Sequence, residues 1–131
     1  MTVVDASAVV EMVLRTPIGE RCRARLLADG ELLAAPHLLD VEVAQVLRRF
    51  AASGDISSDR GGEALSDLAD LPLSRYPHGH LLGRAWELRQ SMSAYDAVYV
   101  ALAEALDAPL VTCDGRVARA HGHAATVEVM K

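Results

Sequence analysis

Four carboxylates stand where apolar segments begin or end. Asp5 closes the run Thr2-Val3-Val4, and Asp114 closes "PLVTCD". Glu42 lies in "PHLLDVEVAQVLRRF", where Leu39, Val43, Val46, Leu47 and Phe50 recur at the spacing of a core-facing helix stripe. Glu42 falls at the edge of that stripe, and Asp40 points away from it. Asp96 occupies the first turn of "SMSAYDAVYVALAEAL", which is apolar nearly all round and reads as a buried helix. A carboxylate on an apolar face is costly unless it is paired or bound to a cation. Four in one place cannot all stay ionised without a cation, because like charges raise one another's pKa. Ligation by Asp and Glu oxygens selects hard ions, Mg²⁺ or Mn²⁺. Such an ion activates and orients a water and neutralises charge at a reacting phosphate. The chain has no Gly-rich phosphate-cradling loop, so these acids point to a phosphodiester cut by water.

Each acid also has a purely structural reading. Ser93-x-x-Asp96 matches a capping box, and Asp5 and Asp114 could each cap the helix that follows. Glu42 could pair with Arg49, seven residues on, or with an arginine elsewhere. Singly, these readings outweigh catalysis. Together they require four separate coincidences at one edge of one sheet.

That edge follows from the elements that must carry the acids. Strands are expected near 2–5, 32–35, 71–75, 109–112 and 126–129. Helices are expected near 7–15, 18–28, 38–52, 57–69, 79–91, 94–107 and 115–121. Strand–helix alternation predicts an α/β fold with a mostly parallel sheet of about five strands, covered by helices on both faces. Pro17, Pro36, Pro72, Pro77 and Pro109 all fall at joints between elements. In open α/β sheets ligands bind outside the carboxyl ends of the strands, where Asp5 and Asp114 would project.

At 131 residues the chain has the length of one domain, 1–131, with an aliphatic core, since it holds only one Trp, one Phe and three Tyr. A net charge of −5 argues against a broadly basic nucleic-acid binder without excluding a local basic rim. Twelve of its 13 basic residues are Arg, a type suited to bidentate phosphate contacts, although codon bias in a GC-rich genome explains this first. No apolar run has membrane-spanning length and no leader is expected, so the expected location is the cytoplasm. Cys22 and Cys113 fit no metal spacing and read as two buried thiols.

The stretches "VVDASAVV", "LLDVEVAQVLRR", "SAYDAVYVALAEAL" and "PLVTCDGRVA" together resemble the PIN-domain ribonucleases, and more closely the VapC toxins of bacterial toxin–antitoxin pairs. The resemblance spans essentially the whole chain, and "SAYDAVYVALAE" is its most specific block. It implies a three-layer α/β/α PIN-like fold and a Mg²⁺-dependent endoribonuclease, with Mn²⁺ able to substitute. Asp5, Glu42, Asp96 and Asp114 would be the acidic quartet. Asp5 and Asp96 would be direct metal ligands, Glu42 and Asp114 ligands reached directly or through water, and Glu42 also an orienter of the attacking water. Ser7 and Thr112 match small hydroxyl positions that support the acids. Some members carry a further Asp or Asn after the last acid. Gly115, Arg116 and Val117 stand there instead, which counts against a second metal and leaves Arg116 as a candidate for the scissile phosphate. A solvated helix-start arginine is an equal alternative. The resemblance further implies a homodimer, RNA as substrate and a VapB-type antitoxin partner, in a heterotetramer or larger assembly without a membrane. The Leu- and Val-rich segments 7–28 and 38–52 could form an apolar groove for that partner, or simply core.

Two other functions compete. A doubly wound phosphotransfer or phosphatase domain would want a second Asp two residues after the first, where Ser7 stands, or a late lysine, where only Lys131 exists. A catalytically silent PIN-fold binding module usually loses an acid, and here all four are present.

Weaker signals have ordinary readings. His78, His80, His121 and His123 lie in polar turns without a cysteine pair and read as surface residues, not zinc ligands. His37 is expected near a helix start. Trp86 is expected in the core, and packing is the first reading of Tyr95 and Tyr99, which flank Asp96 one turn apart, so that one of them could instead face the site or a dimer partner. Arg21, Arg23 and Arg25 alternate along one helix and are expected not to share a face, whereas Arg48 and Arg49 suit a helix C-terminus.

Overall fold

The computed structural model describes residues 1–28 and 30–131. Five strands form one sheet: β1 (Thr2–Val4), β2 (Leu33–Pro36), β3 (Leu73–Tyr76), β4 (Leu110–Thr112) and β5 (Val127–Val129). Their order is β3-β2-β1-β4-β5, and every pairing is parallel. The chain winds outward from β1 through β2 to β3, then returns to the other side of β1 as β4. β1 and β4 are therefore the strands between which the winding reverses, and the crevice for a ligand opens outside their carboxyl ends.

Helices α1 (Ala6–Val13), α2 (Pro17–Leu26), α3 (Leu38–Ser53) and α4 (Ser58–Asp70) precede β3. After a 3-10 turn at Gly79–Leu81 come α5 (Leu82–Glu87), α6 (Ala94–Leu106) and α7 (Gly115–Arg119). Right-handed crossovers put α1–α4 on one face, where α1 packs on its three neighbours, and α5 and α6 on the other, where α6 lies across β1, β2 and β4. The layering is α/β/α. Both faces of β1 are covered, and Thr2, Val3 and Val4 are all buried. α6 is buried from Ala97 through Ala103, as its uniformly apolar sequence requires. α1 and α2 cross so closely at Gly19 that a Cβ there would lie 1.9 Å from the Glu11 carbonyl oxygen. Gly54, at φ 83°, ends α3 in the left-handed conformation.

Four expectations from the sequence need correction. The helix expected over 79–91 is only the short turn and α5. Gly79 and Gly83 weaken it, and Arg89 and Ser91 bond back to Trp86 and Leu88 as turns. Trp86 is 67% exposed, with the Arg89 guanidinium 4.6 Å from its ring centre, because so short a helix buries only one narrow side. Arg21 and Arg25 do share a face, being one turn apart. Arg21 reaches the carbonyl of Lys131, and Arg25 pairs with Glu128 on β5. Of the two thiols, Cys22 is buried but Cys113 only half-buried, and their sulfurs lie 3.8 Å apart.

The histidines also differ in detail. His80 and His121 are exposed, whereas His78 is half-buried with its Nδ1 unpartnered and His123 Nδ1 accepts from Ala125 N. His37 stands at the start of α3, as expected. Asp40 on the outer side of α3 pairs with Arg75 of β3 through two bonds of 2.7 and 2.9 Å.

Candidate active site

Asp5 leaves the end of β1 and serves as the N-cap of α1. It is only 7% exposed. Its Oδ1 accepts from Ser7 Oγ at 2.6 Å and from Ala8 N at 3.2 Å, and its Oδ2 accepts from Thr112 Oγ1. The two hydroxyls also stitch the β1–α1 turn to the β4–α7 turn. Ser7 Oγ accepts from Cys113 N and Thr112 Oγ1 accepts from Asp114 N, each at 2.9 Å. The carboxylate is thus held on a rigid frame spanning the two central strands. Burial pushes its pKa up; the Ser7 and Thr112 hydroxyls and Ala8 N oppose the rise, and repulsion from Asp96 adds to it.

Glu42 projects from α3 toward the same place. Its Oε1 accepts from Tyr99 Oη at 2.6 Å, and among the described residues not from Arg49 or any other arginine. Burial raises its pKa, with further contributions from Asp96 and Asp5, against the lowering effect of Tyr99. Asp96 sits in the first turn of α6, where its N–H donates to the Ser93 cap at 3.2 Å. Burial raises its pKa, and repulsion from Asp114 raises it further. Three acids from β1, α3 and α6 therefore repel one another in a partly dehydrated space.

Asp114 caps α7 and behaves differently. Its Oδ1 accepts from Arg116 N at 2.9 Å, and the Arg116 guanidinium grips both oxygens at 2.6 to 3.1 Å. That pairing pulls its pKa down. Glu42, Asp96 and Arg116 face one open cleft together with Ser91, Ser93 and Tyr95. A second, more apolar cleft shares Glu42 and Tyr95 and continues over Ala6, Leu38, Val41 and Val46.

Hence the fold gathers the four expected acids at the crevice between β1 and β4, with Ser7, Thr112 and Arg116 beside them. Tyr99, for which packing is the first reading from sequence and a place facing the site the second, takes the second by bonding Glu42. A phenol on the most apolar helix needs a buried partner, which is the signal that could have flagged it. Among the described residues no three acidic, His or Cys side chains already converge tightly enough to share one ion. The carboxylates of Asp5, Glu42 and Asp114 are turned into the hydrogen bonds just described. The donor set is nonetheless all oxygen, and burial makes the ionised form of three of its members costly unless a cation compensates it, which suits a hard divalent ion.

The family profile described as PIN domain matches residues 2–122. Ribonuclease VapC12 of Mycobacterium tuberculosis is 42% identical over 130 residues, covering 99% of both chains. Ribonuclease VapC1 of the same organism is 42% identical over 130 residues, covering 98% of this chain and 97% of that one. Among solved structures, VapBC2 from Rickettsia felis bound to a DNA fragment from their promoter superposes with a TM-score of 0.71 at 15% identity, covering 99% and 98% of the two chains. That likeness concerns the fold alone.

Proposed function

This chain belongs to the PIN-domain family, and from that premise we propose that it is a divalent-metal-dependent endoribonuclease of the VapC toxin type. The observation that carries the reading is the convergence of Asp5 from the end of β1, Glu42 from α3 and Asp96 from the first turn of α6, each partly or wholly buried, at the carboxyl edge of the sheet. Asp5 and Asp96 would hold Mg²⁺, or Mn²⁺ in its place, with Glu42 and Asp114 completing the oxygen set directly or through water. When bound, the ion supplies charge neutralisation at the scissile phosphate and makes a nearby water more acidic.

The remaining work falls to the chain's own groups. With Oε1 of Glu42 occupied by Tyr99, its Oε2 is the oxygen available to orient the attacking water and take its proton. Ser7 and Thr112 keep Asp5 from turning, so that ligand geometry is set before substrate arrives. Ser91 and Ser93 offer hydroxyls along the cleft to an RNA backbone.

The similarity to proteins named VapC supports a VapB-type antitoxin as partner, a homodimer as the toxin's own state, and the cytoplasm as its place of action. The apolar cleft beside Glu42 supports a seat for a partner segment next to the acids. We take 1–131 as one PIN domain, since β5, beyond the matched residues, completes the same sheet.

Incubating the purified chain with total bacterial RNA and mapping the new 5′ ends tests the reading. Cleavage should need Mg²⁺ or Mn²⁺, stop with chelator, and be lost in Asp96→Asn. Cleavage that persists in EDTA, or at parental rate in Asp96→Asn, refutes it.

A further inference from the structure

We propose that Arg116 is a placeholder cation: it occupies Asp114 while the metal is absent and, once displaced by the metal, turns to the RNA phosphate. The proposal rests on the divalent-metal reading above.

Among the described residues the arginines that hydrogen-bond a carboxylate fall into two kinds, apart from the looser pairs Arg15–Glu20, Arg60–Glu63 and Arg84–Glu87 at 3.6 to 3.8 Å. Arg25, Arg75 and Arg84 each bind a carboxylate distant in sequence, on Glu128, Asp40 and Glu104, and each thereby fastens two elements together. Arg116 binds an acid two residues away within one turn, so its pair joins nothing that the chain does not already join. Among the described residues its guanidinium bonds no other group. Nor is the guanidinium needed to cap α7, because Asp114 Oδ1 caps it by accepting from the Arg116 backbone N–H.

The same contact saturates Asp114. Oδ1 accepts from the backbone N–H and Nε, and Oδ2 accepts from Nε and Nη2. An oxygen so engaged cannot also ligate a cation well, so a metal at Asp114 and the guanidinium exclude each other. Exchange costs little on the protein's side. The Arg116 side chain is 78% exposed, and exposed ion pairs contribute weakly. Once released, Arg116 remains on the wall of the cleft that holds Glu42 and Asp96. A planar guanidinium there matches a phosphodiester's two oxygens as it matched the carboxylate's. Metal entry would thus arm the phosphate contact, coupling metal loading to RNA binding.

The test measures Mn²⁺ affinity by calorimetry on the intact, RNA-free chain. Arg116→Gln should tighten Mn²⁺ binding by roughly two- to fivefold, the equilibrium worth of one exposed pair. Arg119→Gln removes the same charge one turn on and should change the affinity less than half as much. In an Asp114→Asn background, Arg116→Gln should have no further effect. A second measurement follows a fluorescent phosphorothioate single-stranded RNA with Mn²⁺ present, where Arg116→Gln should lower the salt slope of binding by about one phosphate contact. Unchanged or weaker Mn²⁺ binding in Arg116→Gln, or an equal gain in Arg119→Gln, overturns the placeholder role while leaving the metal reading intact. A tightened metal site with an unchanged salt slope overturns the hand-over to RNA. A parent chain that binds no Mn²⁺ overturns the metal reading itself.

Discussion

The hydroxyl of Tyr99, a residue of α6 that is only 3% exposed, donates to Oε1 of Glu42 on α3 at 2.6 Å. The bond joins residues 57 positions apart across the site. It leaves one carboxylate oxygen for the cleft and fixes where that oxygen lies.

Removing that hydroxyl alone is therefore informative. Tyr99→Phe keeps the ring and its packing, so the fold should lose only about 1 kcal/mol. Cleavage should slow by about tenfold or more in kcat with KM little changed, because Glu42 is freed to swing. The Tyr99 bond also lowers the Glu42 pKa, so the rising, low-pH limb of the pH–rate profile, which follows the ionisation of the base, should move to higher pH. An unchanged profile would show that Glu42 does not act as the base.

Stability should depend on pH in an unusual direction. Burial raises the pKa of Asp5, Glu42 and Asp96 in the folded chain, so the native state holds protons that the unfolded chain has released. Their contribution is thus lost as pH climbs from the ordinary carboxylate range through the raised values. The metal-free protein should melt higher at pH 5 than at pH 7. Asp96→Asn should melt higher than the parent at pH 7 and should lose the stabilisation that Mn²⁺ gives the parent. Below about pH 4 the depressed acids, Glu31, Glu104 and Asp114, reverse the trend. Thermal melts at three pH values, with and without Mn²⁺, read this directly.

Thr112 is fully buried and bonds Asp5, while accepting from Asp114 N. Thr112→Val preserves its shape and orphans both partners. Urea unfolding of the metal-free chain should show a loss of roughly 1–3 kcal/mol. Val111→Ile, a step away on the same strand, would not weaken Mn²⁺ binding as Thr112→Val should.

The thiol pair gives a chemical prediction. Burial, with Cys22 close by, pushes the Cys113 pKa up to about 12, and burial raises that of Cys22 as well. Thiolate is the reactive form, so both should resist iodoacetamide at pH 8.5 in the native protein and react at once in denaturant. Mass spectrometry of the alkylated chain distinguishes the outcomes. Rapid native labelling of Cys113 would contradict the protected environment.

Much of this protein was legible along the chain. A short β-branched run that ends on a carboxylate, followed by a helix, is a local pattern. It located Asp5 and Asp114 at strand ends, and the alternation of such units predicted the parallel α/β sheet. Apolar periodicity likewise put Glu42 at the margin of a buried stripe. Local pattern misled where burial depends on what lies opposite. Trp86 follows a core-facing pattern, yet its helix is too short to turn that face inward.

The tertiary structure alone decided the partner of each carboxylate oxygen. Glu42 had an arginine on its own helix as a plausible partner and found the phenol of Tyr99 instead. Asp5 is held by Thr112, 107 residues away, because the winding reverses between β1 and β4. Sequence spacing constrains neighbours within a turn or a strand. Contacts across the sheet depend on how layers stack, and that sets which oxygens are held and which stay free to bind a cation.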